Sequence, residues 1–217
     1  MMSKAEINSM IKEIYERGLL EQLYREVIAD EANNKIEAGN VRLGQKIVIE
    51  DDNGRETWTA IAYQDGGTVF LLDEEHAIED VEFGNDNNYS NSNARTISYT
   101  CEPILRLLKK YGSNALIPVE IDLFSHDGLQ DYGVCKGDLA GIMTYDMYRN
   151  NREYIEPSCM WLATPNSTPS GTGASYVRYV GSDGCVGYSD CGWNVRGVRP
   201  FCIIKSSILV SCDKTTE

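Results

Sequence analysis

Between Trp161 and Pro200 the chain is dominated by Gly, Ser, Asn, Thr and Tyr, and two short apolar runs, Trp161-Leu162-Ala163 and Phe201 to Ile204, bracket the stretch like strands. No other feature constrains the fold as much, because a long irregular segment inside a compact domain is usually either functional or disordered. Disorder fits poorly here. Tyr176, Val177, Tyr179, Val180, Val186, Tyr188, Trp193 and Val195 give the segment apolar and aromatic anchors along its length. The fold must therefore supply strands at both ends and a framework on which the segment is held. The two bracketing runs are expected to be neighbouring or nearby strands of one sheet, with Trp58 on another strand of the same domain.

Upstream, Val41 to Ile49, Thr57 to Tyr63 and Thr68 to Leu72 alternate or cluster β-branched and aromatic residues, and Asp52-Asn53-Gly54 and Asp65-Gly66-Gly67 separate them as tight turns. This predicts a three-stranded meander. Asn85 to Asn93, dense in Asn, Asp and Ser, predicts a loop, and Ile97 to Tyr111 predicts a helix with Pro103 in its first turn. Asp138 to Asn151 fits either a helix or a strand with a turn. From Ser3 to Glu31, Ile7, Met10, Ile11, Ile14, Leu20, Leu23, Val27 and Ile28 recur at spacings of three and four, the pattern of an amphipathic helix. It either packs on its own domain or serves as an assembly or anchoring helix. With Asn33 to Asn40 read as a connector, the chain divides into a helical extension over residues 1–40 and a domain over residues 41–217.

A formal net charge of −13 works against nucleic acid as a partner, since a phosphate backbone is held by clustered Lys and Arg. The first residues lack an apolar stretch after a basic start, and no segment approaches the roughly 20 apolar residues needed to span a bilayer. These features predict a protein made in the cytoplasm, without signal peptide or membrane insertion. Seven Cys form an odd set with no Cys-x-x-Cys pair, and the two His lie far from any repeated metal-ligand spacing. The expectation is reduced, mostly buried thiols and no metal or cofactor, any disulfide being confined to Cys185 and Cys191.

Trp161-Leu162-Ala163-Thr164-Pro165, Val177-Arg178-Tyr179-Val180, Gly181-Ser182-Asp183-Gly184 and Gly197-Val198-Arg199-Pro200 before Phe201-Cys202-Ile203-Ile204 together resemble the end of a C-type-lectin-like domain family. It is a family of gut bacteria and their phages that includes the variable proteins of diversity-generating retroelements. The Trp58-Thr59-Ala60-Ile61 strand, and Tyr89-Ser90 followed by Ala94-Arg95-Thr96-Ile97, extend the resemblance over roughly Val41 to Lys205; Ala163 and Thr164 stand where the family often has Arg and Ser. The resemblance implies an α+β, C-type-lectin-like fold in which small twisted antiparallel sheets and two or more helices support long C-terminal loops. It also implies that Asn codons in the loops are rewritten to codons ending in a pyrimidine, which cannot encode Lys, Glu, Gln, Met or Trp. These five supply 40 of the 217 residues, yet none of the 28 from Pro165 to Gly192. Trp193, just beyond, cannot arise in that way.

The residues expected to contact a ligand are Asn166, Ser167, Thr168, Ser170, Thr172, Tyr176, Tyr179, Tyr188, Ser189, Asp190, Trp193 and Asn194. Tyr and Trp give large contact area for two side-chain torsions, and Ser, Thr and Asn add adaptable hydrogen bonding. The competing reading packs one or two of the rings into the domain's own core. Val177, Val180, Val186 and Val198 are expected under the loops, Arg178 and Arg199 to order loop backbone through carbonyls, with direct ligand contact as the alternative, and Asp183 to lie in a turn joining two strands, with calcium binding as the alternative. The function this supports is a ligand- or receptor-binding protein of a phage virion or prophage-bearing bacterium, taking a protein or glycan on a cell surface, with a virion or self-assembly partner at the N-terminal helix. The rivals are a structural virion protein on the same fold and a formylglycine-generating-type oxidase using Cys185 and Cys191; no catalytic residues are assigned.

Overall fold

Turn chemistry sets the first three long strands. β2 (Lys46–Asp51), β3 (Gly54–Gln64) and β4 (Gly67–Leu72) pair antiparallel in sequence order, as the spacing of the turn residues predicts. Asp51 Oδ1 accepts the Asn53 N–H at 2.9 Å in the first turn, and Gly66 takes a φ of 80° in the second, a conformation open to glycine at little cost. Every residue of β4 is buried, which follows from its central place: β12 (Pro200–Lys205) lies on its other side, and β12 pairs in turn with β5 (Leu116–Ile117) and β8 (Ala140–Ile142). The sheet order is β2-β3-β4-β12-β5, with β8 alongside β12.

The computed structural model describes residues 35–213, together with Asn8 and Lys12. Apart from these two, the amphipathic helix read over Ser3 to Glu31 lies outside the described residues. By contact the chain divides into Met1–Lys35 and Ile36–Glu217. Of the residues read as a connector, those from Ile36 on are part of the second unit: β1 (Lys35–Glu37) pairs with β13 (Leu209–Ser211), and buried Ala38 donates its N–H to Ile208 O at 2.8 Å. The domain therefore starts about five residues before Val41.

One helix was expected between Ile97 and Tyr111, and two are found. α1 (Asn93–Thr100) starts earlier because Ser92, inside the Asn-rich loop, accepts the Arg95 N–H and caps it. α2 (Glu102–Tyr111) is separate because a proline inside a continuous helix would clash with the carbonyl four residues back, so the backbone turns extended at Cys101 and Pro103 falls in the first turn of a new helix. Asp138 to Asn151 holds both alternatives, β8 and then α3 (Tyr145–Asn151), capped by Thr144.

The bracketing runs do form strands, but not of one sheet. β9 (Met160–Pro165) joins β10 (Tyr176–Val180) and β11 (Val186–Asp190) in a separate sheet ordered β11-β10-β9, while β12 and Trp58 share the large one. The reason is that β9 and β12 cover one core from opposite sides: Trp161 and Leu162 pack in the same buried cluster as Phe201, Ile203 and Leu71. A second cluster, with Trp58, Phe70, Ile104 and Leu107, fills the other face of the large sheet under α2. A short hairpin, β6 (Glu120–Asp122) with β7 (Val134–Lys136), completes an α+β fold of antiparallel sheets. No helix among the described residues is long and apolar enough to cross a membrane.

Candidate binding surface

The β10–β11 hairpin closes through a turn over residues 181–185. Gly181 donates its N–H to Cys185 O at 2.8 Å, Gly184 has a φ of 76°, and Asp183 Oδ1 accepts the Cys185 N–H at 2.9 Å, so Asp183 does occupy a strand-joining turn. In the register Tyr176↔Asp190, Val177↔Ser189 and Arg178↔Tyr188, Val177 and Ser189 face inward and are buried, leaving Tyr176, Arg178 and Tyr188 on the outer face. Tyr176 is 47% and Tyr188 58% exposed, and their rings meet edge to face at 5.6 Å. The Arg178 guanidinium lies over the Tyr188 ring at 5.5 Å. Trp193, 61% exposed, follows β11 in a turn where its N–H bonds Asp190 O at 3.2 Å and the Gly192 N–H bonds Asp190 Oδ1 at 2.9 Å.

Tyr179 behaves differently from its neighbours. Its half-buried ring lies against Gly187, where an added Cβ would come within 2.8 Å of it, and Arg196 covers it at 3.9 Å. It is a packing element, as the competing reading of the rings allows. Three further candidates are buried and face inward: Ser167, Thr168 and Ser189. Ser167 Oγ donates to Asp127 Oδ2 at 2.7 Å and accepts the Thr172 N–H at 2.9 Å. Asn166 and Asp190 are half-buried, while Ser170, Thr172 and Asn194 are exposed.

The 166–175 loop is held by side chains from elsewhere in the chain. Buried Asn87 donates its amide to Ser167 O at 2.8 Å and Tyr176 O at 2.9 Å, and accepts from Tyr132 Oη at 2.7 Å. Asp131 Oδ2 accepts the Ser170 N–H at 2.9 Å. Hydrogen bonds from Ser125 and Ser167 hold the Asp127 carboxyl below its ordinary pKa, and the Ser170 N–H does the same for Asp131. None of these supports was singled out in the sequence; the Asn-rich composition of residues 85–93 marked only a loop.

Beside this face opens a cleft of about 620 Å³ whose walls include Asp122, Phe124, His126, Gln130, Tyr145 and Asp146. It is tied to β9: the His126 main-chain N–H donates to Pro165 O at 2.9 Å, and Thr164 Oγ1 accepts the Tyr145 main-chain N–H at 2.8 Å. The His126 and Tyr145 rings meet edge to face at 5.4 Å, and Arg149 covers Tyr145 at 5.7 Å. Burial lowers the His126 pKa, and the Arg178 charge lowers it further. Arg178 is itself lowered by burial, against the opposing influence of Tyr145, Tyr188 and Asp127. Arg178 follows Val177, which pairs with Pro165, and Pro165 O accepts the His126 main-chain N–H, so the chain path brings Arg178 close to the His126 side of the cleft. Arg178 does not order backbone as expected: its Nε is buried without a hydrogen-bond partner. Arg199 does, donating to Leu72 O at 3.0 Å and to Glu156 O. Val177, Val180 and Val198 are core, and Val186 is half-buried.

Cys185 and Cys191 flank the five residues of β11, which separates them by about 20 Å at a strand's rise per residue, so the sequence expectation that they could approach is overturned. All seven Cys are unpaired. The Asp183 contact raises the Cys185 pKa and burial raises that of Cys191, the opposite of thiolate activation. Among the described residues no three His, Cys, Asp or Glu side chains converge as a metal site. Comparison with protein-family models, with curated proteins and with solved structures gives no match to this chain.

Proposed function

We propose that the chain is a binding protein rather than an enzyme, and that it captures a protein or glycan on a cell surface through Tyr176, Tyr188, Trp193 and the exposed polar residues Ser170, Thr172 and Asn194. The single observation that carries this reading is the exposure of two large rings on a hairpin whose opposite face is locked into the core, with a third, Trp193, in the turn that follows it. Exposed aromatic side chains on a rigid support lose little conformational freedom when they bind. The scaffold is read as C-type-lectin-like, with a loop segment diversified by a retroelement, in a phage virion or a prophage-bearing bacterium. The separation and raised pKa values of Cys185 and Cys191 weigh against a two-thiol oxidase.

The test is a variant with Tyr176→Ser, Tyr188→Ser and Trp193→Ser, assayed for capture of candidate host cells beside the wild type. Capture should fall at least tenfold while the thermal unfolding midpoint moves by only a few degrees. A folded variant that captures cells as well as the wild type rejects the assignment. Diversification is tested in the flanking DNA, where a reverse transcriptase gene and a near-copy of the Trp161 to Pro200 coding segment rich in AAC codons are expected.

A further inference from the structure

Among the described residues, the buried side-chain atoms of this surface left without a hydrogen-bond partner are Thr168 Oγ1, Arg178 Nε and Arg196 Nε, and Arg178 is the charged group that lies beside Tyr188 on the outer face. Arg95, Arg106 and Arg149 each pair with a carboxylate. Arg178, half-buried in a chain of net charge −13, makes no ion pair and no hydrogen bond among the described residues; its only contact of this kind is the Tyr188 ring. A guanidinium stacked on a ring keeps its N–H donors at its edge, in the fork geometry that matches a carboxylate. Burying such donors without acceptors is unfavourable, and a ligand acceptor reverses that cost.

The cleft next to it has a distinct chemistry. Phe124, 44% exposed, offers an apolar ring, and Tyr145 lies between His126 and Arg149; Asp122 and Asp146 accept hydrogen bonds only, Arg149, paired with Asp146, donates only, and Gln130 does both. Its volume of about 620 Å³ lies in the range of small-molecule sites. Walls that mix carboxylates, hydroxyls, a guanidinium and a ring suit a ligand that both donates and accepts along its length. A saccharide brings a hydroxyl on most carbons and an apolar ring face, whereas a peptide backbone brings one N–H per residue.

We propose that Arg178 receives the carboxylate of an acidic saccharide, a uronic- or sialic-acid unit, whose ring lies in the cleft against Tyr145 and Phe124. This rests on the binding reading above and names the ligand class of the same surface. His126 meets the Tyr145 ring edge to face and lies within the electrostatic reach of Arg178, Asp127 and Asp146, so its imidazole reports an anion seated there.

The experiment follows the His126 and His76 ring signals by NMR in the full chain while methyl β-glucuronide, methyl β-galacturonide, methyl α-sialoside and methyl β-glucoside are added. At least one acidic glycoside should shift His126 and not His76, raise the His126 titration midpoint, and bind at least tenfold more tightly than the glucoside. R178Q should lose that preference, R178K should keep part of it, and F124S should weaken all the glycosides while the thermal midpoint holds. Silence from all three acidic glycosides overturns the proposal, as does equal binding of the glucoside. A preference for the capped peptide acetyl-Gly-Glu-Gly-amide over every saccharide overturns it in favour of a peptide carboxylate. If R178Q captures host cells normally while the triple aromatic variant does not, only the present proposal falls.

Discussion

At His126 two causes act in the same direction: burial and the Arg178 charge both hold the imidazole below its ordinary pKa. Because the folded value is lower than the unfolded one, the unfolded chain takes up the proton first. The stability this contributes is present above about pH 6.5 and is lost as pH falls below it. Replacing Arg178 with Gln should raise the His126 midpoint and make that loss shallower; an unchanged midpoint by NMR means the guanidinium does not act on the ring. Gly187→Ala is the packing counterpart. Its Cβ would sit 2.8 Å from the Tyr179 ring, so the ring must move from beneath Arg196, at a cost of about 1–3 kcal/mol in chemical unfolding. The exposed rings were legible in the sequence because Tyr and Trp among Gly and Ser have few ways to be hidden. Ser167 and Thr168 were not, because a small polar side chain reads alike whether it meets solvent or a partner 40 residues away, as Ser167 meets Asp127.

Among the elements, the β2–β3 turn is fastened to α2 through Asp51. Asp51 accepts from Asn53, Lys109 and Arg106, and these contacts, with the Asn53 N–H foremost, hold its pKa down at about 2. The sign for a lowered carboxylate is fixed: its contribution is present above the unfolded value of about 4 and disappears as pH falls towards 2. Asp51→Asn should flatten the fall of the thermal midpoint between pH 4 and 2, and an identical acid profile would show the junction carries no load. In the core, Phe201→Ala should cost about 3–5 kcal/mol by urea unfolding, because Phe201 is buried where the two sheets face each other. The meander was legible because its turn residues are local. The split of β9 and β12 between sheets was not, because a strand buried on both faces shows the same apolar run whichever strand it pairs with.

For the molecule as a whole, the seven thiols give a direct check on packing. All seven are unpaired, and only Cys159 and Cys185 are exposed. Ellman's reagent should count seven thiols in denaturant and, in the native protein, two fast ones from Cys159 and Cys185 with slower reaction at half-buried Cys101 and Cys212; five or more fast thiols would mean that the domain opens around Cys135, Cys191 or Cys202. The two cores and the large sheet give this domain a framework that does not depend on the loop's outer side chains. Asn87 makes the point most sharply, since both of its amide bonds end on main-chain carbonyls, Ser167 O and Tyr176 O. A clamp of that kind recognises the path of the loop and is indifferent to the side chains mounted on it. The domain is thus suited to a combinatorial display library: positions 170, 172, 176, 188, 193 and 194 can be randomised together, with Asn87, Asp127, Asp131 and Ser167 kept fixed, and each clone inherits the same loop architecture.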